Sequence, residues 1–257
     1  MKKDLLSFLL ISLLVFSLSG VVSAELTGND ILDKVEESIS ATTSQIEMQM
    51  ELHSGGRVRE RRLKIERMEG ANKDKSLIRF SEPASVEGTA FLSLDEKDSD
   101  DDDMYLFMPA LGNVRRIAGS QRNGSFVGTD FTYNDLSLLG GGSYEDDYDA
   151  TILEEKEDEY ILKIVPTDDD IDYSYGKMWV TKSNWFPERV EFYDQDEELE
   201  KVLINEDIKQ IDGYWTADQI TMEDVQNETK TVLFLDDIIY DEDLDSRTFT
   251  TRNLRRY

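Results

Sequence analysis

The sequence predicts a mainly β protein built on one large antiparallel sheet, curved or rolled. Three observations carry that expectation. Apolar residues alternate with period two over most of the chain, short turn signals separate the alternating runs, and only one segment near the start has helical spacing. Hydrophobic residues make up 39% of the 257 residues and aromatics 10%, enough for a packed core despite a formal net charge of -28.

Residues 1–24 have the character of a secretory leader. Met1-Lys2-Lys3 is a positive start, Leu5 to Leu18 is apolar apart from serines, and Val22-Ser23-Ala24 offers small residues for cleavage before Glu25. The uncharged run is also long enough to remain as an N-terminal anchor. Either outcome exports the remainder, residues 25–257, which is expected to be a single soluble domain in the periplasm or cell envelope. No composition break divides it.

The helical segment comes first: Ile31, Leu32, Val35 and Ile39 recur at helical spacing, and Asn29 or Asp30 is placed to cap them. The period then changes to two. Ile46, Met48, Met50 and Leu52 point to one face of a strand, and Gln45, Glu47, Gln49 and Glu51 to the other. Similar runs follow at residues 57–68, 76–80, 90–94, 104–108, 148–154, 160–165, 177–182, 189–193, 201–208, 214–222 and 231–240, and roughly ten strands are expected. Turn signals such as Ser54-Gly55-Gly56 and Asp194-Gln195-Asp196 lie between them.

Two stretches do not suit a plain meander. Pro109 to Asn113 and Gly140 to Ser143 have loop chemistry, and Asn134 to Leu139 is predicted as one or two helical turns capped by Asn134. Gly88-Thr89-Ala90-Phe91 is echoed by Gly128-Thr129-Asp130-Phe131, which the shortness of the match assigns to two similar glycine turns.

Composition excludes several functions. The acidic balance argues against nucleic acid as a partner. Without cysteine there is no disulfide, thiolate metal site, cysteine nucleophile or N-terminal lipidation, and one histidine, His53, leaves little for imidazole chemistry. Acidic runs at residues 98–103, 168–172 and 241–245 lack the glycine and distal glutamate of a calcium loop and are expected to be solvated, as in a protein kept soluble at high salt. No nucleophile elbow, zinc-binding helix or phosphate-binding glycine loop is present. The expectation is therefore a protein that is not an enzyme, with no catalytic residues, no metal and no cofactor; a carboxylate-based hydrolase and a structural or adhesion module of the envelope are the alternatives.

Two groups of residues are candidates for function. The apolar face is rich in methionine and aromatics, and Met48, Met50, Phe91, Met104, Leu106, Met108 and Trp179 are expected to line a cavity, since methionine adapts to irregular apolar ligands. Basic residues are the scarce charge, and Arg57, Arg59, Arg61, Arg115 and Arg116 are candidates for docking a partner. Further basic residues crowd the same strand and the C-terminus, where Arg252, Arg255 and Arg256 lie.

Certain motifs carry a family resemblance. Arg79-Phe80-Ser81-Glu82-Pro83, Val86 to Leu92, Asp103 to Ile117, Phe126 to Leu136, Trp185-Phe186-Pro187 and Phe249 to Leu254 are similar to the LolA-like superfamily of outer-membrane lipoprotein-sorting proteins, in its uncharacterised branch. The resemblance implies an incomplete β-barrel wrapped around helical segments, enclosing a hydrophobic cavity for acyl chains. It implies a monomeric carrier of lipids or lipoproteins, working with an RND-type (MMPL-like) membrane transporter. The chain has no lipobox cysteine, so it resembles the soluble carriers of that superfamily and not the anchored receptors.

Overall fold

The computed structural model describes residues 25–96, 103–139 and 144–256. The expected leader, the acidic run at residues 98–102 and the loop at residues 140–143 lie outside these.

Helix α1 (Gly28–Ile39) buries Ile31, Leu32 and Val35 as its spacing requires. Its cap is two or three residues earlier than expected. Thr27 is the N-cap, its hydroxyl accepting from the Asp30 N–H while the Asp30 carboxylate accepts the Thr27 N–H, a reciprocal capping box. Asn29 is already inside the helix, and its side-chain oxygen instead accepts from the N–H of Ala150 at 2.7 Å. Gly28 allows that approach: a Cβ there would lie 2.2 Å from the Ala150 carbonyl oxygen.

Thirteen strands follow: β1 (Thr43–Ser54), β2 (Arg57–Met68), β3 (Lys73–Glu82), β4 (Ala90–Glu96), β5 (Asp103–Phe107), β6 (Val114–Ile117), β7 (Tyr148–Glu155), β8 (Glu159–Pro166), β9 (Tyr175–Thr181), β10 (Pro187–Tyr193), β11 (Leu199–Ile211), β12 (Tyr214–Asp224) and β13 (Thr229–Tyr240). Every run that alternates in the sequence becomes a strand. Strand β6 is the addition, because four residues with two adjacent arginines are too few to display a period.

The strands form one antiparallel sheet in the order β6-β5-β4-β3-β2-β1-β13-β12-β11-β10-β9-β8-β7. Each strand lies beside its sequence neighbour except at two places. The first and last strands pair in the middle of the sheet, and β6 and β7, consecutive in the chain, occupy its opposite edges. The result is a barrel-like meander left unclosed between β6 and β7. Bulges in β1/β13, β2/β3, β7/β8, β9/β10 and β10/β11 bend the strands and give the sheet a concave face.

The connection from β6 to β7 must cross the whole sheet, and it does so over the concave face. The segment 118–139 contains two 3-10 turns, Gly119–Asn123 and Asn134–Leu138, and leads to the short helix α2 (Tyr144–Asp147). The turn expected at Asn134 is present but not capped by it: Tyr133 holds the cap position, and the Asn134 amide donates to Asn123 Oδ1 and to the Asp170 carbonyl. The two glycine turns that echo each other are alike in space, since Gly88 and Gly128 have φ of 73° and 75° and the next threonine N–H donates to the carbonyl three residues back.

Strands β3 to β6 are covered on both faces. Inner residues Ile78, Phe80, Phe91, Met104, Leu106 and Ile117 join the main core, while Leu77, Ala90, Leu92 and Phe107 form a second, outer core with Phe249 and Leu254. The C-terminal segment thus crosses the outer face.

Candidate functional site on the concave face

The concave face is apolar across all thirteen strands and carries a roof of two parts. Helix α1 covers one region, in contact with β7 and β12. The segment 118–139 covers the rest, inserting Phe126, Phe131, Tyr133, Leu136, Leu138 and Leu139, all buried. Four aromatic rings meet at its centre: Phe126 lies 5.8 Å from Phe80, 5.6 Å from Phe91 and 5.6 Å from Tyr133, and Phe91 lies 5.5 Å from Tyr133. Such pairs add about 0.5–1.5 kcal/mol each beyond area burial.

A small set of polar contacts pins this roof. Arg61 Nη1 donates to the Val127 carbonyl at 2.9 Å, and Arg67 Nη1 to the Leu139 carbonyl at 2.8 Å. The Asp130 carboxylate accepts from the hydroxyls of Thr229 and Thr231 on β13, and the Asp130 N–H donates to Thr231 Oγ1. Asp135 is buried and takes hydrogen bonds from the Thr132 N–H, the Tyr173 hydroxyl and Lys201. These bonds satisfy polar groups that would otherwise be buried without partners.

Electrostatics follow burial. Desolvation, with Asp135 and Tyr148 nearby, holds the Tyr173 phenol well above its ordinary range, so it remains a neutral donor. Burial also raises Tyr148 and Tyr144. Arg61 and Arg67 are made less basic by burial, the first also by Arg59 beside it. At the β4 end of the roof, burial raises Asp95, opposed by a hydrogen bond from Ser93 and by Arg67.

The residues expected to line a cavity divide by face. Met48, Met50, Phe91, Met104 and Leu106 are buried together beneath the roof, and Met108 is partly buried against them. Trp179 is not with them. It alternates with the buried Met178 and Val180 on β9, so it projects from the outer face, where Arg189 lies 5.7 Å from its ring. The expected docking arginines are also dispersed. Arg57 and Arg59 are exposed beside the β1–β2 turn, Arg61 is turned inward onto the roof and under Phe80, Arg115 reaches Tyr133, and Arg116 pairs with Asp103 on the outer face. His53 lies at the end of β1, 2.9 Å from Glu51. Among the described residues, no three His, Asp or Glu side chains are grouped to hold a metal ion, and no helix is long and apolar enough to cross a membrane.

Solved structures share this fold. A domain provisionally named as an outer membrane lipoprotein-sorting protein, from Vibrio parahaemolyticus, superposes with a TM-score of 0.82 at 30% identity, covering 89% of this chain and 98% of that one. The chain belongs to the LolA-like, outer membrane lipoprotein-sorting family. A DUF1329 family protein from Desulfovibrio piger matches equally, with a TM-score of 0.82, 30% identity, and 88% and 97% coverage. A LolA superfamily protein from Nitrosomonas europaea follows at 0.70 and 25% identity, over 88% of this chain and 98% of that one. A family model described as an uncharacterized protein matches residues 72–256, and no curated protein matches.

In this LolA-like chain the motifs that carry the resemblance converge in space. Arg79 to Leu92 and Asp103 to Ile117 supply β3 to β6, Phe126 to Leu136 supplies the roof on their inner face, and Phe249 to Leu254 covers their outer face. The residues that sequence reading passed over are the latches: Asp130, Asp135, Tyr173, Thr231 and Lys201. Their pairings span up to 101 residues, and no local period marks them.

Proposed function

We propose that this protein is a carrier that holds the acyl chains of a lipid or lipoprotein against the concave face, and releases them to a partner during envelope sorting. The observation that carries the reading is the roof. A large apolar sheet face is closed by one helix and one crossing segment, and the segment is attached by a few polar latches in place of a second structural layer. Acyl chains entering beneath it exchange one apolar contact for another, at ~25 cal/mol per Å2 on either side. Displacement therefore costs mainly the latches, each worth about 1.5–3 kcal/mol net because one partner is charged.

Met48, Met50, Phe91, Met104 and Leu106 are the surfaces the chains would replace the roof upon, and methionine side chains accommodate irregular occupants. The names of the matched relatives support a sorting role, and the leader-like sequence of residues 1–24 supports export to the periplasm or envelope. Receipt or delivery through an RND-type (MMPL-like) transporter completes the proposal.

The test is titration of the purified protein with a hydrophobic fluorophore, together with native mass spectrometry of the protein from its own host. Saturable binding displaced by a fatty acid, with lipid-bearing species in the mass spectrum, is the expected result. The competing reading is a structural module of the envelope with a permanently filled interior, which the burial of Phe126, Phe131 and Tyr133 favours. A protein that binds neither dye nor lipid would establish that reading instead.

A further inference from the structure

The C-terminal segment builds a second feature on the outer face, away from the roof. Leu254 and Phe249 are buried in the outer core, and Arg79 on β3 donates to the carbonyls of Asn253 at 3.1 Å and Leu254 at 3.3 Å. These contacts fix a 3-10 turn, Asn253–Arg255, against β4 and β5, the first strand of the β5–β6 hairpin. Residues three apart in such a turn share a side, so Arg252 and Arg255 project together while Leu254 points inward. Opposite them on the hairpin, Tyr105 and Arg116 are cross-strand partners.

Between the turn and the hairpin lies a cleft of about 490 Å3, lined by Tyr105, Val114, Arg116, Thr251, Arg252 and Arg255. Three arginines border it. Arg116 is neutralised by Asp103 at 2.9 Å, while among the described residues Arg252 and Arg255 have no carboxylate partner. Two arginines with no carboxylate partner among the described residues share one cleft in a chain with 56 acidic and 28 basic residues. That surplus matches a doubly charged tetrahedral anion, whose several oxygens can each accept from a guanidinium fork, better than a carboxylate with two oxygens. Tyr105 and Val114 supply an apolar wall beside it.

We propose that this cleft binds a phosphate group, either as a free anion or as the monoester at the head of a lipid. The site is separate from the concave face, on the opposite side of the sheet, and does not depend on the carrier reading. Calorimetric titration with inorganic phosphate and co-sedimentation with phosphatidylcholine vesicles, with and without phosphatidic acid, test it at low ionic strength.

Binding in the phosphate arm alone assigns a free anion, and binding only to the vesicles with phosphatidic acid assigns a headgroup; both support the site. The double variant R252A/R255A is expected to weaken binding by about tenfold or more. Thr251→Glu, which adds a negative charge at the rim, is expected to do the same without removing either arginine. The control K209A/K230A, exposed on β11 and β13, is expected to bind as the parent does. Failure of both arms, binding unchanged in the first two variants, or an equal loss in the control would overturn the proposal. Hydrophobic-dye binding is expected to be the same in all of them, which keeps this result separate from the concave-face reading.

Discussion

Lys201 on β11 and Asp135 in the roof form an ion pair at 3.3 Å, and both side chains are almost wholly buried. Tyr173 donates to the same carboxylate at 3.0 Å, its ring lies 5.6 Å from the Lys201 ammonium, and the Thr132 N–H completes the set. A charge removed from water is tolerated only when paired in this way. The pair therefore specifies where the roof sits, since Asp135 has no other cation within the core at bonding distance among the described residues.

Lys201→Met should destabilise the protein by about 3–5 kcal/mol, because it leaves Asp135 buried without its cation. Asp135→Asn combined with Lys201→Met should recover part of that loss. Urea unfolding of the two singles and the double gives the coupling. Simple additivity would show that the pair does not act as a unit.

Phe126 is packed between Phe80, Phe91 and Tyr133, with 1% of its surface exposed. Phe126→Ala is expected to cost about 3–5 kcal/mol, and Phe126→Leu less, since a smaller void remains. Denaturant midpoints at constant slope measure both. A neutral alanine variant would mean that the roof is not packed in solution.

Asp130 ties the roof to Thr229 and Thr231 on β13. Asp130→Ala is expected to lower stability by about 1–3 kcal/mol, as it leaves the fully buried Thr231 hydroxyl without its acceptor. If the roof must lift for a ligand to enter, the same variant should take up a hydrophobic fluorophore faster than the parent. Stopped-flow mixing reads that rate, and identical uptake in the two proteins would argue against entry beneath this segment.

Glu200 sits next to Lys201, and burial raises its pKa above the ordinary 4.5, with Asp224, Asp135 and Asp194 adding to the effect and Lys201 opposing it. A raised carboxylate favours the fold in its protonated form. Its contribution is complete below the unfolded value and is lost as pH rises through the folded one. Glu200→Gln should therefore raise the melting temperature at pH 7 and leave it unchanged at pH below 4.5. An equal gain at both pH values would remove the electrostatic explanation.

The strands were legible because a half-buried sheet repeats every two residues, as in Ile46, Met48, Met50 and Leu52. The helix was legible for the same reason at its own period, although its cap was not, because Thr27 acts through a hydrogen bond to Asp30 that spacing does not reveal. Five of the seven candidate lining residues, Met48, Met50, Phe91, Met104 and Leu106, lie in one core. Trp179 was assigned by residue type where strand parity decides, and its neighbours Met178 and Val180 take the inner face.

Sequence by itself determined the mainly β class, the twelve alternating runs, the acidic surface and the family. Each rests on local order or composition, which folding preserves. Tertiary structure alone decided that the first and last strands pair, that the sheet opens between β6 and β7, and that the crossing segment fills the concave face. It also brought Arg116 to Arg252 and Arg255, more than 130 residues away, around one cleft. Such juxtapositions depend on closing long loops around a common core, and the free energy that selects them comes from burial and pairing between segments that carry no mark of each other in the chain.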